Sequence, residues 1–425
     1  MSHIVAKEAF KSLEDRLNKF PQGVPPSETL YKILSVLYTE EEAALVAKLP
    51  IRPFNISMAS KIWNVSLSEA EFMLESLASK ALILDTEYNG ERKFVIPPPM
   101  AGFFEFALMR VRGDIDQKLL SKLFYQYLNV EEDFIKDLFL GTETRFGRVL
   151  ISEDILPETI ASTPTPENSL YILDYERATY LIKNAKHISL SMCYCRHKMH
   201  HLGKDCSKPM DTCLTFDSTA YSLIKNGYGR KIDSSECIDI LNMCYENNLV
   251  QCGENVRNEI CFLCNCCCCC CEGLKAVKKY GALHPIATTN FLPYVNNDAC
   301  IGCGKCTKIC PIEVISLKNK KASIDESICL GCGVCVRNCP TKAIKLKTRS
   351  QRILTPANTT HRVIIQAIEK GNLQNLIFDN QAFASHRFMA SVLSTISNAN
   401  PIKQALASKQ FKSIYLDKLI SKKYK

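Results

Sequence analysis

The sequence predicts an α+β chain of several domains, because its length, its patterning and the placement of its cysteines agree. At 425 residues it exceeds what one ordinary hydrophobic core organises, which points to two to four domains. Stretches with the period of amphipathic helices alternate with short apolar or alternating runs of strand type. All 23 cysteines fall between Cys193 and Cys339, so a cysteine-rich centre is set between two cysteine-free flanks. Hydrophobic residues at 46% and charged residues at 23% match a folded chain and exclude the disordered class.

Lys7, Glu8, Lys11, Glu14, Asp15 and Arg16 break up any apolar stretch that a signal peptide would need, so export is not expected. The greasiest segment, MAGFFEFALM, is short and interrupted by Glu105, so no membrane span is expected either. The expected location is the cytoplasm, where cysteines in such number point to metal binding rather than disulfides. The net charge of +9 does not by itself call for a nucleic-acid partner, because thiolate-bound metal centres are anionic and offset several of those charges.

Residues 1–100 are expected to form the first domain. Helices from residue 28 onward lead into SLSEAEFMLESLASKALILDTEYNGERKFVI, which reads as a helix, a strand, an Asn89-Gly90 turn and a second strand. This order resembles a winged helix. Ser66 and Glu69 form a capping box, and Leu67, Ala70, Leu74 and Leu77 recur at helical spacing to face a core. The charged residues of that helix are Glu69, Glu71, Glu75 and Lys80, a net of minus two, whereas a DNA-reading helix should neutralise phosphates. Nucleic acid is therefore a disfavoured partner, and packing or protein docking is the favoured use. Residues 101–165 read as a helical connector that ends in a Pro/Thr/Ser-rich linker, ASTPTPENS.

Residues 166–290 are expected to form a cysteine-rich α/β domain. Its first group is HISLSMCYCRHKMHHLGKDCSKPMDTC, with Cys193, Cys195, Cys206 and Cys213. The apolar run Ile188–Met192 predicts a strand whose end presents Cys193 and Cys195 on one side. Arg196, His197, Lys198, His200 and His201 follow as cations that would lower thiol pKa values. A [4Fe-4S] cluster is the leading expectation for this group. Zinc held by cysteine and histidine, and free redox-active thiols, are the alternatives.

The second group is CFLCNCCCCCCEGLKAVKKYG, where Cys264, Cys266, Cys267, Cys269, Cys270 and Cys271 are the expected metal or cluster ligands ahead of a helix. Adjacent side chains diverge in any regular structure, so six consecutive cysteines require a loop or a helix start. A helix N-terminus there would favour thiolates. Cys237 and Cys244 lie seven residues apart in a helical pattern and read as core, while Cys252 and Cys261 have no partner legible in sequence.

Residues 291–348 carry the clearest signal. CIGCGKCTKICP supplies Cys300, Cys303, Cys306 and Cys310, and CLGCGVCVRNCP supplies Cys329, Cys332, Cys335 and Cys339, each run with the pattern C-x2-C-x2-C-x3-C-P. Every cysteine of the second run lies 29 residues after its counterpart, an internal duplication. The first three thiolates of a run can reach three irons of one cube, and the fourth faces the other cube. Cys300, Cys303, Cys306 and Cys339 are thus expected to hold one [4Fe-4S] cluster, and Cys329, Cys332, Cys335 and Cys310 a second. Zinc normally takes two C-x2-C pairs and has no use for eight thiolates so arranged. Gly302, Gly304, Gly331 and Gly333 let the backbone wrap each cluster. VISLKNKKASID reads as a hairpin whose Ile315, Leu317 and Ile324 cover the cubes. Residues 349–425 read as a helical tail that ends, from Pro401, in seven lysines and one aspartate.

The duplicated run closely resembles the bacterial two-cluster ferredoxins over about 50 residues. That resemblance implies single-electron transfer at low potential without substrate chemistry. The whole chain also resembles a group of iron-sulfur proteins of anaerobes that join a winged-helix-like start, CYCRH with later cysteines, a CNCC-rich run and a ferredoxin module. Members of that group commonly carry a glycine where this chain has Cys268, so Cys268 is not counted among the expected ligands. The leading expectation is an electron-transfer protein or oxidoreductase subunit that works with a redox protein partner, not a free-standing enzyme. The other readings are a redox-sensing transcription regulator and an oxidoreductase with an unusual cluster at the polycysteine loop. No nucleotide-binding motif, G-x-G-x-x-G or P-loop, supports the last.

Overall fold

The computed structural model describes residues 2–88, 90–152, 155, 178–204, 206–350, 355–378 and 384–397. The ASTPTPENS linker, Asn89 and the lysine-rich segment after Pro401 lie outside the described residues. Among those described, no helix is long and apolar enough to cross a membrane.

Five helices open the chain: α1 (Ser2–Leu17), α2 (Glu28–Leu37), α3 (Glu40–Val46), α4 (Ile56–Trp63) and α5 (Leu67–Ser79). Their starts are set by short polar caps. Ser27, Thr39, Asn55 and Ser66 each accept a hydrogen bond from a backbone N–H of the first turn, and Glu42 and Glu69 complete capping boxes. Leu30, Ile33, Leu34 and Leu37 of α2 face a core shared with Ala70, Leu74 and Leu77 of α5. Leu67, expected in that core, is 59% exposed, because it occupies the first helical position and turns away from the stripe. The hairpin β1 (Leu84–Tyr88) and β2 (Glu91–Val95) follows, with Gly90 at φ +75° between the strands. Arg92 on β2 reaches back to Glu71 and Glu75 of α5, so the hairpin itself engages the two central carboxylates of that helix.

Helices α6 (Gln117–Tyr125) and α7 (Asp133–Leu140) connect to a six-stranded sheet. Its strands are β3 (Gly147–Val149), β4 (Ile188–Met192), β5 (Asp211–Phe216), β6 (Arg230–Ile232), β7 (Val250–Glu254) and β8 (Phe262–Cys266), in the order β3-β7-β8-β5-β4-β6. All neighbours run antiparallel. Four helices link these strands: α8 (Ala178–Asn184) and α9 (Tyr194–His201) flank β4, and α10 (Asp217–Lys225) and α11 (Ser234–Glu246) flank β6. After β8 comes α12 (Glu272–Tyr280). Cys237, Ile240, Leu241 and Cys244 form the buried face of α11, as their spacing predicts, and burial pushes both thiols up to about 12.

The last sheets are small. β9 (Phe291–Val295) pairs with β12 (Ile344–Thr348), and β10 (Ile315–Lys318) forms the expected hairpin with β11 (Lys321–Ile324). Short helices α13 (Lys305–Ile309) and α14 (Val334–Arg337) each begin within a cysteine run. Ile315 is buried and Ile324 half-buried, but Leu317, next to the turn of the hairpin, is exposed. Helices α15 (Thr359–Lys370), α16 (Leu373–Ile377) and α17 (Ala384–Ser397) complete the described chain.

Two positions tie these parts together and allow direct tests. Asp85 of β1 is buried and accepts hydrogen bonds from Ser222 and Asn226, and it pairs with Lys225, all at the end of α10. Burial alone would raise this carboxyl, yet these partners hold it below its usual value. A depressed carboxylate adds stability above its unfolded pKa and loses it as pH falls through the folded value. Asp85→Ala is therefore expected to cost about 2–3 kcal/mol at neutral pH, with the half-exposed Lys225 limiting the loss. The gap to wild type in urea unfolding should narrow below roughly pH 4. Gly331 sits at φ +73°, and a Cβ there would collide with Thr289 Oγ1 and the Phe291 carbonyl oxygen. Gly331→Ala should cost at least about 1–3 kcal/mol and lower the thermal unfolding midpoint of the reduced, anaerobic protein.

Candidate metal centres

The duplicated cysteine runs share one construction. In each, the glycines two and four residues after the first cysteine adopt positive φ (66° and 71°, then 73° and 75°), and the second of them starts a short helix that carries the third cysteine. This reversal brings three thiols of a run to one side. Cys310, the fourth of its run, keeps company with the other run. One cavity is lined by Cys310, Cys329, Cys332 and Cys335, with Leu330, Ile312, Val314 and Ile315 as apolar cover. Cys300 and Cys306 lie in an adjoining small core that also holds Cys335, Ile315 and Ala343, and Cys310 and Cys339 pack against it. Cys303 is exposed. Burial pushes Cys329 up to about 11 and holds Cys332 and Cys335 higher still, with neighbouring thiols adding to the rise. Thiols raised in this way remain protonated until a cation compensates them.

The central cysteines fall into two groups that differ from their order in sequence. In the first, the sheet does the gathering. Cys252 of β7 stands opposite Cys264 of β8, two residues before Cys266, and Cys213 on the neighbouring β5 faces Cys264. Alternation puts Cys252, Cys264 and Cys266 on one face. Two helix starts close over that face. Cys193 is the N-cap of α9 with Cys195 in its first turn, and Cys271 is the N-cap of α12. Cys193 and Cys195 do lie side by side, but through a helix start rather than the expected strand end: the register of β4 and β5 shifts between Ser191 and Met192, and α9 begins at Tyr194.

Thiol contacts join the whole group: Cys195 touches Cys193 and Cys271, and Cys266 touches Cys252, Cys264 and Cys271. Within the pairs Cys193/Cys195 and Cys213/Cys264, hydrogen bonding from the partner thiol lowers Cys195 and Cys264 well below the usual thiol value and raises Cys193 and Cys213 above it. Cys195 is also favoured by Cys271, by the charge of Lys198 and by the Glu272 N–H at the start of α12.

Cys206 does not join Cys193, Cys195 and Cys213. It meets the polycysteine loop, where its Sγ lies 3.7 Å from that of Cys267 and 3.9 Å from that of Cys270, and the Cys270 and Cys269 Sγ atoms are 3.8 Å apart. The four ligand atoms of Cys206, Cys267, Cys269 and Cys270 all lie within 4.8 Å of one another. Hydrogen bonding from Cys270 and the nearby Arg196 guanidinium lower Cys267 to about 4. Cys268 is half-buried beside this set, and Cys261, pushed up to about 12 by burial, lies near Thr359.

The cations after Cys195 divide in the same way. Arg196 is buried, donates to the Asn265 carbonyl and Thr212 Oγ1, and stands by both Cys193 and Cys267, between the two thiol groups. Lys198 is buried in an ion pair with Glu272, while its ammonium also donates to Asn129 Oδ1 at 3.0 Å. His197 and His201 were expected as cations, but burial lowers both below the usual histidine value. His197 instead bonds the Leu108 carbonyl through Nδ1. Cys252 escapes sequence reading because its relation to Cys264 exists only across a strand pair. Sequence reading puts Cys252 at the start of a turn after NNLVQ, where the structure has the strand β7.

Comparison with known proteins bears on the duplicated runs. Residues 299–343 match the family model of the 4Fe-4S dicluster domain. Over 28 residues the chain is 57% identical to Ferredoxin-2 of Desulfomicrobium norvegicum, which covers 7% of this chain and 48% of that ferredoxin. The chain thus spans about half the length of that relative. No solved structure matches. The repeated cysteine pattern, the paired helix starts and these two likenesses together give residues 299–343 as a 4Fe-4S dicluster domain of the ferredoxin type.

Proposed function

We propose that this protein is an electron carrier that relays single electrons between a redox protein partner and iron-sulfur centres in two of its domains. The observation that carries the reading is the cavity that Cys310 shares with Cys329, Cys332 and Cys335, which has the crossed ligand arrangement of a two-cluster ferredoxin. In this reading those four residues hold one [4Fe-4S] cluster, and Cys300, Cys303, Cys306 and Cys339 hold the other. When bound, such clusters supply one-electron transfer at low potential. The chain's own part is to ligate, to exclude water with Ile312, Val314, Ile315 and Leu330, and to direct backbone N–H groups at sulfur. The exposed Cys303 marks the side from which a partner would exchange electrons.

A third iron-sulfur centre is proposed for the group of Cys193, Cys195, Cys213, Cys252, Cys264, Cys266 and Cys271. Packing supports a route to it. Cys252 and Cys266 belong to the same apolar core as Leu330 and Val334, against which Cys310 and Cys332 pack, and Cys332 feels the charge of Cys252. The domains are proposed as residues 1–100, 101–165, 166–290, 291–348 and 349–425, with β3 of the second segment completing the sheet of the third, and the first is a winged helix used for packing or docking. Its use as a DNA reader is disfavoured by the carboxylates of α5, which Arg92 already engages.

Anaerobic iron and sulfide analysis separates the parts. The full chain should hold about twelve irons, and Cys303→Ala with Cys332→Ala should remove about eight of them along with the ferredoxin signal in reduced EPR spectra. Retention of full iron in that variant would reject the reading. Cys195→Ser with Cys266→Ser should remove about four irons and leave the ferredoxin signal in place. A gel shift that appears on a DNA library only with, or only without, dithionite would favour the regulator instead.

A further inference from the structure

We propose that Cys206, Cys267, Cys269 and Cys270 bind one tetrahedral divalent metal ion, Zn2+ or Fe2+, rather than an iron-sulfur cubane. The inference is independent of the electron-carrier reading, because it rests on the spacing of four sulfur atoms outside the ferredoxin domain. A metal with four thiolates at about 2.3 Å in tetrahedral geometry sets its sulfurs about 3.8 Å apart. Three of the six sulfur separations in this tetrad are 3.7, 3.9 and 3.8 Å, and the other three lie within 4.8 Å. A cubane interposes four irons between its thiolates and spreads them onto a larger tetrahedron.

The molecule contains its own ruler for that difference. Among the described residues, this is the one set of three or more cysteine, histidine or carboxylate ligands that lies within 4.8 Å throughout. The eight cysteines of the dicluster domain, where cubanes are expected, make no such set. Nor do the seven thiols across the sheet, although Cys266 contacts three of the others.

Local backbone fits a small ion as well. Cys267 and Cys270 form a C-x2-C pair on a turn in which the Cys271 N–H donates to the Cys267 carbonyl at 3.2 Å, which folds both thiols to one side. Cys206 arrives from the loop after α9, so the ion would join that loop to the start of α12. Four thiolates on a divalent ion carry a net charge of minus two, and the buried Arg196 guanidinium beside Cys267 offsets part of it. Cys269 is exposed, so an ion has an open path into the tetrad.

The test uses the full chain, purified anaerobically, with zinc, iron and sulfide counted per chain. Cys206→Ser should lose about one metal ion and no sulfide, while the reduced EPR spectrum stays unchanged. Loss of zinc names zinc as the occupant and loss of one iron names iron, and either supports a mononuclear site. Loss of about four irons with their sulfide, or no change in any metal, overturns it. Because Cys206→Ser can destabilise the fold, Cys269→His serves as the second variant: a Cys3His site is an ordinary zinc site, so it should keep its ion. If the ion is zinc, X-ray absorption at the zinc edge should show sulfur at about 2.3 Å and no metal–metal shell; if it is iron, the difference between the iron spectra of the wild type and Cys206→Ser should show the same sulfur distance and no metal–metal contribution. A metal–metal shell assigned to this site in Cys269→His would also reject the proposal.

Discussion

A group of thiols gathered inside a protein is stable only when something compensates their charge, and this requirement organises the central domain. Bare thiols so placed suppress one another's ionisation, as Cys193, Cys213 and Cys266 do beside their neighbours. The fold meets the cost with positive charge of limited mobility. Arg196 and Lys198 are buried on α9, and the starts of α9 and α12 present N–H groups to Cys193 and Cys195. Lys198 cannot serve alone, since Glu272 already claims its ammonium. The Lys198–Glu272 pair therefore fixes α9 against α12 more than it supplies net charge.

That pairing explains why two distant cysteine motifs share one site. CYC opens α9 and the polycysteine run precedes α12, and the Lys198–Glu272 ion pair joins the two helices. Asn129, between α6 and α7, donates to Glu272 and accepts from Lys198, so the connector region also holds this arrangement. The strand β3, within residues 101–165, pairs with β7 beside Cys252. The central domain is consequently built on both sides of the linker rather than only after it.

The sequence made the dicluster domain legible because its ligands are local. Each C-x2-C-x2-C triplet closes within one turn, and the glycines that permit the turn stand between the cysteines. It made the secondary structure around Ser66, Glu69, Cys237 and Cys244 legible for a similar reason, since capping and helical periodicity involve neighbours three to seven residues apart. Sorting of the central thiols was not legible. Cys206 and Cys213 are close in sequence, yet one joins the polycysteine loop and the other the sheet. Cys252 and Cys264 meet through strand register alone. Long-range pairing of this kind leaves no trace in local pattern.

The polycysteine run itself shows how one short segment can feed two different sites. Cys264 and Cys266 share a strand face, so they point to the seven-thiol group. At Cys267 the strand ends and the turn directs Cys267, Cys269 and Cys270 to Cys206 on the other side. Cys271 then opens α12 and swings back toward Cys195. Successive reversals of direction thus require successive cysteines, and Arg196 fills the space between the two destinations. In the proposed scheme a glycine or serine at Cys267, Cys269, Cys270 or Cys271 would remove a ligand from one site only, whereas Cys268, half-buried, belongs to neither group.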